Sequence, residues 1–152
     1  QRIFQNGSFL EERVETWFKA LNILVDREVS VKQDIPPISG RIDFLIKHYS
    51  YGITPIELKS INTAGFSKLR GPKPEHQIQI QMYLNMGGYE KGTVLYENKN
   101  DQKIKTFIVD RDPEQWSGIL ERCFRIQELL IAPEKCTGSS WCNCKLVPMG
   151  SV

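Results

Sequence analysis

The stretch GRIDFLIKHYSYGITPIELKS, residues 40–60, contains two strand-like runs that flank a short turn at residues 50–52. The first run covers residues 41–49 and the second covers residues 53–59. Both runs have the period of two that is typical of a pleated strand. In the first run, one face of the strand is predicted to carry Ile42, Phe44 and Ile46, and the other Asp43, Leu45 and Lys47. The stretch therefore predicts two neighbouring strands.

Three charged residues of these strands are expected to lie together. Strand side chains alternate between faces, so Glu57 and Lys59 project from the same face. If the two strands pair, Asp43 lies beside Glu57 on that face. A buried carboxylate without a partner is unfavourable, and a divalent metal ion would satisfy both acids. The alternative is a surface hairpin on which Glu57 and Lys59 form a solvated pair.

Asp43 followed by Glu57-Leu58-Lys59 resembles the signature of the PD-(D/E)xK nucleases. Gly40-Arg41-Ile42-Asp43 is similar to the GxxD form of their RecB-type members, which include CRISPR-associated and phage exonucleases. The resemblance implies metal-dependent hydrolysis of phosphodiester bonds. It implies that Asp43, Glu57 and the carbonyl of Leu58 bind Mg²⁺ or Mn²⁺, whose preferred ligands are oxygens. Lys59 would orient the attacking water or neutralise developing charge.

A first amphipathic helix is predicted at residues 8–25. Its apolar stripe consists of Leu10, Val14, Trp17, Phe18, Leu21, Leu24 and Val25. Ser8 and Glu11 have the spacing of a capping box at its start. Gly7-Ser8-Phe9-Leu10-Glu11 is also similar to the Gly-x-x-x-(His/Glu) element of RecB-type nucleases, which implies that Glu11 reaches the metal site. Capping alone is the alternative for Glu11, and Glu12 or Glu15 could take the metal role instead.

Residues 27–35 form a further strand candidate, and residues 61–74 are expected to form a loop. The loop carries Lys68, Arg70 and Lys73 without an acidic residue, which predicts a surface for DNA phosphates. Its aromatic residue, Phe66, would suit stacking on single-stranded or distorted DNA. A solvated loop rich in basic residues is the alternative.

Residues 75–86 alternate like a strand but are bounded by prolines and glycines that favour a helix. Within them, Gln79 and Tyr83 resemble the Q-x-x-x-Y motif that follows the catalytic strand in RecB-type nucleases. The resemblance implies that Gln79 bonds a phosphate or holds the catalytic lysine, and that Tyr83 lines the DNA channel. A polar helix face with a packed tyrosine is the alternative.

The rest of the chain completes an α/β pattern. Residues 92–97 and 104–109 are expected to form a hairpin, followed by a closing helix that Asp110 or Asp112 caps. Its apolar stripe consists of Trp116, Ile119, Leu120, Cys123, Phe124, Leu130 and Ile131, with Cys123 as a small core residue. The order predicts a mixed central sheet flanked by helices, which is the restriction-endonuclease-like core. We expect a single domain over residues 1–152.

Composition and cysteine placement add limits. The chain has 152 residues, a net charge of +2 and no run that is apolar enough to span a bilayer, so we expect a cytoplasmic globular protein. A short tail at about residues 132–152 carries Cys136, Cys142 and Cys144. Some RecB-type nucleases bind an iron–sulfur cluster through four cysteines, one of which precedes the core. No cysteine precedes the core here, so a partial zinc site, free thiols or a relic of such a cluster are the alternatives.

These observations predict a DNA nuclease. The resemblance favours an exonuclease in recombination, repair or phage DNA processing, acting on linear duplex or single-stranded ends. A structure-selective endonuclease, a DNA-binding module of the same fold without turnover and a protein–protein scaffold are the alternatives. The sequence does not predict an oligomeric state.

Overall fold

The computed structural model describes residues 2–128, with side chains described from Phe9 onward. The elements in chain order are α1 (Arg2–Ala20), β1 (Leu24–Gln33), β2 (Ile38–His48), β3 (Gly52–Ile61), α2 (Thr63–Lys68), α3 (Pro74–Gly87), β4 (Lys91–Asn98), β5 (Ile104–Asp110) and α4 (Pro113–Glu128). The predicted tail cysteines, Cys136, Cys142 and Cys144, lie outside the described residues, as do Leu130 and Ile131.

Within the described residues, five strands form one sheet in the order β1-β2-β3-β4-β5. Neighbouring strands are antiparallel except β3 and β4, which are parallel. A parallel pair needs a crossover connection, and α2 and α3 supply it. The predicted α/β architecture with a mixed sheet flanked by helices is therefore confirmed.

Helices cover both faces of the sheet. On one face, α1 contributes Leu10, Val14 and Phe18 to an apolar cluster that also contains Phe44, Ile46, Ile56, Leu58 and Leu95. On the other face, α3 contributes Ile80, Tyr83 and Leu84 to a cluster that also contains Ile42, Leu45, Phe66, Leu69, Val94, Tyr96 and Val109. Burial on both faces explains why consecutive residues are buried in the central strands, at 54–58 in β3 and at 94–98 in β4.

The strands β2 and β3 separate at the predicted site. Their pairing runs from His48 and Gly52 to Phe44 and Ile56. Beyond that point, β2 continues to pair with β1, and β3 continues to pair with β4. The next residue on each strand, Asp43 or Glu57, therefore lies at the opening between them.

The alternation predicted for β2 is interrupted at Asp43. Ile42 packs on the α3 side of the sheet, whereas Phe44 and Ile46 pack on the α1 side. The register places Glu28 of β1 opposite Asp43, and Glu28 has a left-handed backbone with φ of 53°. This irregular geometry is unusual for a residue other than glycine, and it lies where the packing of β2 changes side.

The first helix differs from its predicted bounds. It begins at Arg2, so Ser8 lies within the helix and the predicted capping box is wrong. It ends at Ala20 because Asn22 turns the chain with φ of 55°, a left-handed conformation that asparagine tolerates. Two residues of the predicted stripe, Leu24 and Val25, therefore belong to β1. Two others, Trp17 and Leu21, are exposed.

Two further predictions need correction. The expected loop at residues 61–74 contains α2, which is capped by the Asn62 side chain accepting from Gly65 N at 2.8 Å. Phe66 of α2 is buried and is not available for stacking on DNA. No residue of α4 is buried, so Cys123 is not a core residue. Of the two candidate caps for α4, Asp112 accepts from Glu114 N and Gln115 N.

In the part of the chain that the structure covers, no helix has the length and apolar character needed to cross a membrane.

Candidate active site

Asp43 is fixed by the backbone of the neighbouring strand. Its Oδ2 accepts a hydrogen bond from the N–H of Leu58 at 2.7 Å. A buried strand N–H requires an acceptor, and here the side chain of Asp43 supplies one where β2 no longer pairs with β3. The separation of the two strands therefore brings a carboxylate to the opening and orients it.

Glu57 is a buried carboxylate with one oxygen bonded and one free. Its Oε1 accepts from Lys59 Nζ at 2.5 Å, as the period of β3 predicts. Its Oε2 is buried and has no hydrogen-bond partner among the described residues. The residue is only 2% exposed. Burial, together with the charge of Asp43, raises the pKa of Glu57 to about 7 although Lys59 opposes the shift.

The pKa of Asp43 is raised as well. Burial is the largest cause, and the hydrogen bond from Leu58 and the charge of Lys59 act against it. The negative charge of Glu11 raises the pKa of Asp43 further, which indicates that the middle of α1 lies near Asp43. The three carboxylates predicted from the sequence therefore occupy one region of the molecule.

This donor set fits a hard divalent cation. Two neighbouring carboxylates are held where burial penalises their charge, and one buried oxygen lacks a partner. Oxygen donors of this kind are the preferred ligands of Mg²⁺ and Mn²⁺. Among the described residues, however, no three acidic, histidine or cysteine side chains are close enough to form a complete metal site.

The acids of α1 have different surroundings. Glu11 is partly exposed and lies 3.9 Å from Nη2 of Arg27. Glu15 is held more closely, by ion pairs with both Lys19 and Arg27. Glu12 is exposed. Of these acids, Glu11 is the one whose charge acts on Asp43.

Gln79 and Tyr83 form a hydrogen-bonded chain that leads from α3 to β2. Gln79 Nε2 donates to the Tyr83 hydroxyl at 2.8 Å, and that hydroxyl donates to the carbonyl of Arg41 at 2.8 Å. Gln79 is also near Glu57, and its amide lowers the pKa of that carboxyl. Both residues thus lie beside the acid pair.

Tyr83 packs in the core between α3 and β2. It is 4% exposed, and a Cβ at Gly40 would lie only 2.6 Å from its Cε1 atom, so the ring packs directly on the backbone of β2. The glycine of the GxxD stretch is therefore needed for this close approach. The prediction that Tyr83 lines a DNA channel is not supported, because its ring is enclosed in the core.

The three basic residues of the loop follow β3 but do not contact the acids. Lys68 and Arg70 are exposed, and Lys73 is partly buried. Arg70 Nη1 donates to the carbonyls of Ser67 and Leu69, at 3.2 and 3.3 Å. Lys105 also donates to the carbonyl of Leu69. The bonds from Lys105 of β5 hold the end of α2 against the sheet, whereas those of Arg70 are local.

Two residues that the sequence analysis missed adjoin Lys59. Tyr96 of β4 is the register partner of Lys59, which lies in β3. The Nδ1 atom of His76 lies 2.6 Å from the Tyr96 hydroxyl. His76 precedes Gln79 by three residues and therefore shares its helix face, a spacing that could have identified it. Tyr96 gave no such signal, because it resembles any apolar residue of a buried strand.

A cavity of about 580 Å³ lies elsewhere, on the α1 side of the sheet. Arg13 and Glu97, an ion pair with a buried carboxylate, line it, whereas Asp43 and Glu57 do not. Cavity size indicates room for a ligand, but displaced pKa values and an unpartnered oxygen indicate chemistry. The acid pair is therefore the candidate active site.

No family model matches the sequence, and no curated protein matches it either. Solved structures share its fold. LHK-Exo, crystallised in complex with dAMP, is 20% identical, with a TM-score of 0.67 over 84% of this chain and 67% of its own. A second structure, of the alkaline exonuclease LHK-Exo from Laribacter hongkongensis, is 19% identical, with a TM-score of 0.61 over 79% of this chain and 64% of its own. SSO0001 is 21% identical, with a TM-score of 0.62 over 83% of this chain. The present chain spans 60% of the length of SSO0001.

Proposed function

We propose that the protein is a nuclease that hydrolyses phosphodiester bonds of DNA with Mg²⁺ or Mn²⁺, and that it acts as an exonuclease. One observation carries the proposal: Asp43, Glu57 and Lys59 are gathered at the opening between β2 and β3, and a buried oxygen of Glu57 lacks a partner. The shared fold supports it, because LHK-Exo is described as an alkaline exonuclease and one of its structures contains dAMP, a nucleotide.

The residues that would hold the metal are Asp43, Glu57 and the carbonyl of Leu58, with Glu11 at the edge of the site. When bound, such a cation polarises a phosphate oxygen and makes water a stronger nucleophile near neutral pH. The N–H of Leu58 keeps Asp43 oriented. Since Glu57 is already enclosed, little water has to be displaced around it.

Lys59 supplies the positive charge of this chain at the reacting centre. Its ammonium group lies beside Glu57 Oε1 and its side chain remains partly exposed, so it can contact a substrate. A fixed positive charge next to a phosphate stabilises the charge that develops during hydrolysis. Gln79 stays next to Glu57 because Tyr83 ties it to β2. Lys68, Arg70 and Lys73 would bind the DNA backbone.

The test uses near-isosteric variants, Asp43→Asn, Glu57→Gln and Lys59→Met. Each should fold like wild type and lose at least about a hundredfold in cleavage of linear DNA with Mg²⁺ or Mn²⁺. Asp34→Asn, which removes an exposed carboxylate, is the matched control. Folding is checked by circular dichroism. Cleavage at the wild-type rate by any folded site variant would contradict its role.

The choice of DNA separates the alternatives. An exonuclease degrades linear duplex or single-stranded DNA and leaves covalently closed circles intact, whereas an endonuclease also cuts the circles. A DNA-binding module without turnover binds the same DNA in EDTA and cleaves none of it with metal. Failure of wild type to cleave any of these substrates with either metal would overturn the proposed activity.

A further inference from the structure

The hydroxyl of Tyr96 joins β4 to the start of α3. Tyr96 is fully buried, and its oxygen accepts from the backbone N–H of Lys73 at 2.9 Å. The same oxygen lies 2.6 Å from His76 Nδ1. A buried O–H group must donate its proton, since an unmade hydrogen bond there is costly. Among the described residues, His76 Nδ1 is the acceptor within hydrogen-bond distance of that oxygen.

This requirement determines which nitrogen of His76 carries the proton. Tyr96 donates to Nδ1, so the neutral imidazole carries its hydrogen on Nε2. Burial lowers the pKa of His76, and the positive charge of Lys59 lowers it further, although Glu75 opposes the shift. Burial raises the pKa of Tyr96, which therefore keeps its proton. His76 is thus a neutral side chain whose distal N–H is a donor.

His76 lies near Lys59, since it contacts Tyr96 and the charge of Lys59 acts on its ring. The rings of His76 and Tyr96 have centroids 5.4 Å apart, and Tyr96 is the register partner of Lys59. Gln79, one turn further along α3, is near Glu57. His76 is partly exposed, and its Nε2 has no hydrogen-bond partner among the described residues. The ring therefore lies near both Lys73, at the end of the basic loop, and Lys59.

We propose that the Nε2–H group of His76 donates a hydrogen bond to a phosphate oxygen of the DNA strand that lies beside Lys59. His76 is then a substrate-binding residue whose donor is oriented by Tyr96. The proposal rests on the proposed nuclease function, because it takes the DNA strand as the ligand. A phosphate oxygen only accepts hydrogen bonds, so a neutral donor adds a directional contact without adding charge.

Two substitutions separate this role from a purely structural one, in which His76 only attaches α3 to Tyr96 of β4. His76→Asn keeps an acceptor near the position of Nδ1 for Tyr96 but removes the distal donor. His76→Gln keeps a distal N–H but loses the near acceptor. The matched control is His48→Asn. His48 is the only other histidine of the sequence, and it lies at the end of β2, beside the start of β3. The readouts are the melting temperature and the affinity for a labelled oligonucleotide in EDTA at several salt concentrations.

His76→Asn should melt like wild type and bind DNA about tenfold more weakly, the effect of losing one hydrogen bond to a charged group. The slope of log affinity against log salt should stay unchanged, because no positive charge is lost. His76→Gln should melt lower and keep more of the affinity. His48→Asn should bind like wild type.

Three results would overturn the proposal. The first is binding by His76→Asn as tight as that of the His48→Asn control, and the second is a loss of affinity confined to His76→Gln. The third is a smaller salt slope in His76→Asn, which would mean that the basic loop had moved. If wild type binds DNA but cleaves none with metal, the nuclease function fails while binding still decides the role of His76. If wild type does not bind DNA, both proposals fail.

Discussion

At the scale of single residues, the ionisation of Glu57 makes the free energy of unfolding depend on pH. A carboxylate this buried is unfavourable in its charged form unless a cation compensates it, and Lys59 alone leaves its pKa near 7. In the unfolded chain the same group has its ordinary pKa of 4.5. Between these two pH values, the folded protein holds a proton that the unfolded chain has lost. Stability therefore falls as pH rises through this window and stays lower above it.

We expect Glu57→Gln to be more stable than wild type at pH 8 in EDTA, by up to about 3 kcal/mol, the free energy that corresponds to this difference in pKa. The difference should shrink as pH falls towards 4.5 and vanish below it, where the wild-type carboxyl is protonated in both states. Urea unfolding at pH 4.5, 6 and 8 measures it, with Asp34→Asn as control. Excess Mg²⁺ should stabilise wild type and leave Glu57→Gln nearly unchanged. Lower stability of Glu57→Gln than of wild type at pH 8 in EDTA would contradict this account.

At the scale of elements, α1 illustrates what periodicity does and does not predict. Its buried positions, Leu10, Val14 and Phe18, follow from helical spacing and are confirmed. Its start was wrong, because a capping-box pattern also occurs inside helices and only the whole fold decides between the two. The predicted end of α1 was wrong because the chain turns at Asn22 in a left-handed conformation. The residue after this turn, Ile23, is held by β2, since its carbonyl accepts a hydrogen bond from Lys47 N.

The same distinction holds for the site. The period of two along β3 predicts that Glu57 and Lys59 share a face, and their ion pair shows that they do. The separation of β2 from β3 depends on how β1, β2 and β4 pair over long distances, which the local sequence of each strand does not encode. Tyr96 was missed for the same reason, since its contact with His76, 20 residues away, forms only through the fold.

The corrected start of α1 changes the experiment on Glu11. Ser8 lies inside the helix, so capping no longer competes with metal binding, and the remaining partner of Glu11 is Arg27 at 3.9 Å. We expect Glu11→Gln to change the free energy of unfolding by less than about 1 kcal/mol, as is usual for an exposed ion pair. It should need more Mn²⁺ to reach half-maximal cleavage, because a neutral amide is a poorer ligand for a hard cation.

Glu15→Gln is the matched control for this prediction, because it lies one turn along the same helix and pairs with Arg27 and Lys19 instead. Its Mn²⁺ requirement should equal that of wild type. Equal metal titrations for Glu11→Gln and wild type would remove Glu11 from the site. A raised requirement in both variants would show that the position of α1, and not one ligand, controls the metal.

At the scale of the whole molecule, charge placement matters more than net charge, which is only +2. The acid pair by itself repels a polyanion. The loop that leaves β3 after Lys59 offsets this repulsion with Lys68, Arg70 and Lys73, at the end of β3 where α3 begins. Basic residues also lie at the other end of the sheet, where Lys47 pairs with Ile53 and Lys91 lies over the ring of Tyr51. The two ends therefore offer an internal comparison.

Replacing Lys68, Arg70 and Lys73 together by glutamine should weaken DNA binding to a similar degree for all sequences. It should also reduce the slope of log affinity against log salt by about 2 to 3, since each lost phosphate contact on a duplex removes roughly 0.9. The hydrogen bond from the Lys73 backbone to Tyr96 remains in this variant, so the loop keeps its attachment to the sheet.

The control replaces three lysines at the other end of the sheet, Lys19, Lys47 and Lys91, and should leave the slope close to that of wild type. Fluorescence anisotropy in EDTA across a range of salt concentrations measures both variants without cleavage. An unchanged slope for the loop variant would show that the loop is merely solvated, and equal decreases in both variants would show that DNA responds to total charge and not to this surface.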